Sequence, residues 1–212
     1  PLYLVLRKVR PHDGSQLQGN FLLDHIFGAN IEVIEGGWPE QRKRIIEKAV
    51  KLTKQGKNPY IARAANTEDN WMDAVAYAHS FAELCEQLDE RKIRASAYYM
   101  TSSDTTQAGT LVAWKFLRQT FPILGTDTVL FEGDTIAEFI RIARDLEEHL
   151  GLPVLVTRDD VNTTGKYVGP AGYGFPTPAG IEAIKLVART EGILCDPVYT
   201  GKGLARMIAE IR

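Results

Sequence analysis

The sequence predicts an α/β protein: a mostly parallel sheet with flanking helices. Two observations predict it. Short apolar runs of strand length alternate with amphipathic stretches of helical spacing along the whole chain. The stretches between successive strands are long enough to hold a helix, as crossovers between parallel strands require. Within the 212 residues, 44% are hydrophobic and 25% charged, the balance of an ordinary globular chain with enough length for one core or two lobes.

In order, Leu2–Leu6 reads as a strand and Leu17–Phe27 as a helix stopped by Gly28. Ile31–Ile34 is strand-like, and Gly36-Gly37 breaks the chain before a charged amphipathic helix over Pro39–Lys54, with Pro39 suited to its first turn. Tyr60–Ala64 reads as a strand. Trp71–Leu88 is a long helix with Ala74, Tyr77, Ala78, Phe81 and Leu84 on one face. Ile93–Met100 reads as a buried strand. Thr106–Arg118 is a helix whose small residues Ala108 and Gly109 permit close packing, and Thr128–Phe131 is a strand. Thr135–Leu150 is a helix with Ile136, Phe139, Ile140 and Ala143 inward; Pro153–Val156 is a short apolar run of unassigned role. Pro178–Arg189 and Lys202–Ile211 close the chain as helices. A polar stretch at Asn66–Asn70 separates two patterned regions, which divides the chain into residues 1–65, part of a smaller lobe, and 66–212, most of a larger one.

Net charge is −2, from 25 basic and 27 acidic residues, without the basic excess of a nucleic-acid binder. No apolar run approaches the ~20 residues of a membrane-spanning helix. Cys85 and Cys195 lie inside periodic segments and read as buried free thiols of a reducing compartment. His12, His25, His79 and His149 lack metal-ligand spacing, so no metal site is expected. The chain opens without Met, inside a strand-like run, and reads as one piece of a larger polypeptide.

Three turn segments carry candidate chemistry. Ser102-Ser-Asp-Thr-Thr-Gln-Ala-Gly109 follows a strand and opens a helix, where unpaired N–H groups attract anions. A plain helix cap at Ser103, Asp104 or Thr105 explains the same residues, and the Asp104 carboxylate would repel phosphate. Tyr173 sits between Gly172 and Gly174 in a tight turn, followed by Thr177 as N-cap and Pro178 at the first helical position. In Asp196-Pro-Val-Tyr-Thr-Gly-Lys-Gly203 the same logic returns, with Thr200 as the cap, Tyr199 at a turn and Lys202 solvent-exposed.

These segments carry a family resemblance. Gly-Tyr-Gly, Pro-Thr-Pro, Gly-Ile-Glu-Ala-Ile, Ala-Arg-Thr-Glu-Gly-Ile-Leu and Asp-Pro-Val-Tyr-Thr-Gly-Lys, all within Tyr167–Ile208, resemble the family of D-cysteine desulfhydrase and aminocyclopropane-carboxylate deaminase. Leu17-Gln-Gly-Asn20, Leu22-Leu-Asp24, Gly28-Ala29 and Thr106-Gln-Ala-Gly109 extend the resemblance toward the N-terminus. It implies a pyridoxal 5'-phosphate enzyme of the tryptophan-synthase-β fold type. It further implies a homodimer in the cytoplasm, acting on a small amino acid by β-elimination to ketoacid and ammonia. By resemblance Tyr199 stacks on the cofactor ring and Tyr173 lines the substrate side. Thr200 stands where desulfhydrase-like members have Thr and the deaminases Glu, which favours the desulfhydrase branch. The loop with Ser103, Thr105, Thr106 and Gln107 resembles the phosphate-binding loop, with Asp104 where the family carries glycine. The family's Schiff-base lysine would precede Pro1, and its His-Thr-Gly-Gly strand would follow Arg212. No lysine of this chain matches the Schiff-base position. With Asp104, that leaves a second reading, a non-catalytic relative serving as a binding or assembly subunit.

Overall fold

The computed structural model describes residues 1–8, 17–62, 70–101, 104–129, 133–153 and 155–211. The chain forms two compact units, Pro1–Glu68 and Asp69–Arg212.

The first unit contains β1 (Tyr3–Arg7), α1 (Gly19–Ile26), β2 (Asn30–Ile34) and α2 (Trp38–Lys54). β1 and β2 pair in parallel, from Tyr3 against Asn30 to Arg7 against Ile34. α2 starts where Gly37 N–H donates to the Glu40 carboxylate at 2.8 Å, and Gln41 Nε2 ties it to the Val5 carbonyl at 2.6 Å. The strand expected at Tyr60–Ala64 is not formed over residues 60–62, and residues 63 and 64 lie outside the described ones. Tyr60 is 92% exposed, so its side chain gains nothing from a sheet.

The second unit contains α3 (Asn70–Glu90), β3 (Tyr98–Thr101), α4 (Thr105–Phe116), β4 (Ile123–Thr126), α5 (Thr135–His149), β5 (Thr163–Thr164), α6 (Pro178–Glu191) and α7 (Thr200–Ile211). The strands run parallel in the order β3-β4-β5. The α/β class with parallel strands and flanking helices is therefore as the alternating pattern required. The strand expected at Thr128–Phe131 is displaced: residues 128 and 129 form a bend, residues 130 and 131 lie outside the described ones, and the strand is Ile123–Thr126. Pro122 and Gly125 masked it, because both read as breakers. Pro122 still contributes its carbonyl, which accepts from Tyr98 N–H at 2.9 Å.

α4 is the central helix. Gln107 through Ala113 are all buried, as for a helix covered on every side. A Cβ on Gly109 would stand 2.0 Å from the Ala74 carbonyl oxygen, so the helix crossing of α3 and α4 requires glycine there. Phe81, Met100, Leu111, Ile123, Ile142 and Leu146 fill the core around it. The buried Glu147 holds the residues after α5: its Oε1 accepts both Leu155 and Val156 N–H at 2.9 Å, and among the described residues these two pair with no strand.

α7 lies antiparallel to the strands. Its start meets the end of β3, where Thr101 Oγ1 donates to the Tyr199 carbonyl at 3.4 Å, while Glu210 near its end faces the Tyr99 hydroxyl. Between them, Arg206 is 4% exposed and donates to the Gly125 carbonyl of β4 and to Asn162 Oδ1 at 3.0 Å. Gly203 lets the helix approach, since a Cβ there would lie 2.3 Å from Thr101 Oγ1.

Candidate functional site

Parallel sheets bind ligands beyond the carboxyl ends of their strands. The ends of β3 and β4 lead to Asp104 and Asp127 respectively, and the turns carrying Tyr173 and Tyr199 belong to the same unit.

The Tyr173 turn forms as the sequence requires: Gly172 and Gly174 take φ of +79° and +84°, a left-handed backbone that strains any other residue. Thr177 Oγ1 accepts from Gly180 N–H at 3.1 Å and caps α6, with Pro178 at the first helical position. The Tyr199 turn is built differently from the expectation. Asp196, not Thr200, caps α7. Its Oδ1 accepts from Val198 N–H at 2.8 Å and Tyr199 N–H at 2.7 Å; its Oδ2 accepts from Thr200 N–H at 3.0 Å and Thr200 Oγ1 at 2.7 Å. Burial alone would raise the Asp196 carboxyl, but these donors outweigh it and hold the group below the usual carboxylate range.

The two turns bring the tyrosines together. The hydroxyls of Tyr173 and Tyr199 are 2.5 Å apart and their rings meet edge to face, with centroids 6.0 Å apart. Tyr199 remains 43% exposed, so the pair opens to solvent on one side. Burial first, then the bond to Tyr173, then the charges of Asp196 and Asp104 push the Tyr199 phenol well above its usual range. The Asp104 charge thus reaches the pair from the start of α4.

The start of α4 is occupied by its own cap. Asp104 Oδ1 accepts Thr105 N–H at 2.5 Å and Thr105 Oγ1 at 3.2 Å, and Thr105 is 1% exposed. Gln107 is fully buried; its Nε2 donates to the Asn162 carbonyl at 3.1 Å and its amide packs on Gly125, so it braces α4 against the sheet. Thr106 and Thr200 line a common groove of about 470 Å³, together with Thr101, Cys195, Gly203 and Met207. Ser103 lies outside the described residues.

The pattern of the sequence did not reveal four polar residues at this end of the sheet. Asp127, 7% exposed, accepts Thr163 Oγ1 at 2.7 Å, and burial raises its carboxyl. Arg206, itself buried, reaches the exposed Asn162 as described above. Lys202 corrects the expectation of a solvent-exposed side chain: it is fully buried. Gly201 and Gly203 on either side are the signal for this, because they bring that turn of α7 against its neighbours.

The fold is that of a parallel α/β protein, and its tyrosine pair lies outside the groove that Thr106 and Thr200 line. The profile of the pyridoxal-phosphate dependent enzymes spans residues 1–212, and the chain belongs to that family. The structure is similar to a crystal structure of an ACC deaminase homologue, with a TM-score of 0.80 and 26% identity. That match covers 98% of this chain and 60% of the other, so the chain spans less than two thirds of that structure's length.

The residues suit one end of the cofactor better than the other. The tyrosine pair offers an aromatic wall and a shared proton. The α4 start does not fit a phosphate dianion, because a carboxylate already holds its first N–H and adds negative charge.

Proposed function

We propose that this chain supplies the ring-facing and substrate-facing wall of a pyridoxal-phosphate dependent lyase or deaminase of the desulfhydrase type, acting on a small amino acid such as D-cysteine. The observation that carries the reading is the 2.5 Å contact of Tyr173 and Tyr199 beside the strand ends. Family membership and the likeness to the ACC deaminase homologue support the general chemistry. In such enzymes the cofactor is the electron sink that makes the amino-acid α-proton acidic. In this reading Tyr199 offers its ring to the cofactor, and the hydrogen bond shared with Tyr173 fixes the two hydroxyls relative to each other. Asp196 holds the turn that aims Tyr199, and Thr200 is committed to Asp196 through its hydroxyl. A homodimer in the cytoplasm is part of the same proposal.

The Asp104 cap favours a second reading, a relative that assembles with partners and does no chemistry. Assay of the protein with pyridoxal phosphate for ketoacid and ammonia release from D-cysteine and from aminocyclopropane carboxylate separates the two. Release from D-cysteine that falls at least about tenfold in Tyr199→Phe supports the lyase reading. No release from either substrate, in wild type and in Asp104→Gly, supports the assembly reading.

A further inference from the structure

Lys202, Thr126 and Thr128 are each 0% exposed. Lys202 Nζ and both threonine Oγ1 atoms have no hydrogen-bond partner among the described residues, so they do not bond one another either. Buried polar groups without partners are rare, and a buried amine without a hydrogen bond is rarer.

The helix and strand repeats put the three at about one level. Arg206 reaches Gly125 of β4. Lys202 lies four residues earlier on the same face of α7, about 6 Å along the axis. Because α7 runs antiparallel to the sheet, that is about two residues further along β4, at Asp127. Thr126 and Thr128 flank that residue. Thr126 also points the right way: its register partner is Thr101, whose side chain meets Tyr199 and Gly203 of α7, and register partners in a parallel pair share a face.

The neighbouring carboxylates are engaged elsewhere. The charge of Asp196 reaches Lys202, yet its oxygens already accept from Val198, Tyr199 and Thr200. Asp127 accepts from Thr163. Burial depresses the Lys202 amine against the opposing pull of the Asp196 charge.

We propose that Lys202, Thr126 and Thr128 form a buried site for one small monovalent anion of halide size. A single acceptor between them takes one donor from each group and neutralises the ammonium, whereas a water molecule satisfies the hydroxyls and leaves the charge. The site does not depend on the cofactor reading, and its test uses neither cofactor nor activity.

The test is thermal unfolding in potassium bromide against potassium gluconate at equal ionic strength, for wild type, Lys202→Met, Thr126→Val and Thr128→Val. Ligand that binds only the folded state raises the midpoint and saturates. Wild type should show a saturating increment specific to bromide. Lys202→Met should lose it, and each threonine variant should need at least about tenfold more bromide for half the effect. A wild type without the increment overturns the proposal, as does a Lys202→Met protein that keeps it. If Lys202→Met does not fold, the threonine variants decide: an unchanged bromide response in both overturns the site. Anomalous diffraction from a bromide-soaked crystal adds a direct reading, with a peak at Lys202 Nζ supporting the site and its absence overturning it.

Discussion

Tyr173 and Tyr199, 26 positions apart in sequence, share a hydrogen bond of 2.5 Å between their hydroxyls. The glycine-flanked turn before α6 and the Asp196-held turn before α7 create that contact. Tyr199→Phe removes the bond and keeps the ring, so the cost to stability should be about 1 kcal/mol or less at this partly exposed site. A double-mutant cycle with Tyr173→Phe in urea should return a coupling of the same size. Additive effects would show that the hydroxyls do not interact.

The raised Tyr199 phenol gives a definite pH dependence. A phenol that ionises in the unfolded chain but resists ionisation when folded favours the folded state below the unfolded value of ~10, and this is lost as pH rises above it. Phenolate absorbance of the folded protein should therefore show as many tyrosines titrating near pH ~10 in Tyr199→Phe as in wild type, because Tyr199 does not titrate there. A variant with one tyrosine fewer titrating there than wild type would contradict the raised Tyr199 phenol.

Asp196 should behave as the cap of α7. Asp196→Ala should cost about 1–2 kcal/mol, while Asp196→Asn should cost less because Asn also caps. The carboxyl is depressed in the fold, so its contribution is complete above the unfolded value of ~4 and disappears as pH falls through the folded value. Urea unfolding of wild type and Asp196→Asn should therefore converge in acid. Curves that stay parallel across that range would remove the cap from the account.

Gly109→Ala tests the α3–α4 crossing. The new Cβ meets backbone, which cannot swing aside, and the cost should reach about 3 kcal/mol by denaturant unfolding. A change within about 0.5 kcal/mol would mean that the two helices do not approach so closely.

Helices with a clear apolar face were legible from the sequence. Thr135–Leu150 and Pro178–Arg189 stand within a residue or two of α5 and α6. β4 was not, because its Pro122 and Gly125 resemble breakers, and β5 was not, because two threonines carry no pattern. At the site, Tyr173 and its glycines could be read because positive φ leaves a visible signature. The capping role of Asp196 was present in the sequence as an Asp four residues ahead of a helix-starting Thr, and the hydroxyl of Thr200 concealed it. Lys202 was read as exposed since lysine is seldom fully buried. Only the packing of Gly201 and Gly203 against Ile184 and Thr101 reveals its burial. The family resemblance put Gln107 at the phosphate-binding loop, but its inward direction depends on Asn162, 55 positions away.

The opposition between Asp104 and an anionic cofactor is most directly measured by calorimetric titration of pyridoxal phosphate into wild type, Asp104→Asn and Asp104→Gly. Asn keeps a capping oxygen without the charge, so it separates electrostatics from helix stability. Both variants should bind at least about tenfold tighter than wild type, the size expected for removing one charge from a partly shielded phosphate site. Equal affinity in all three proteins, or tighter binding by wild type, would contradict the account.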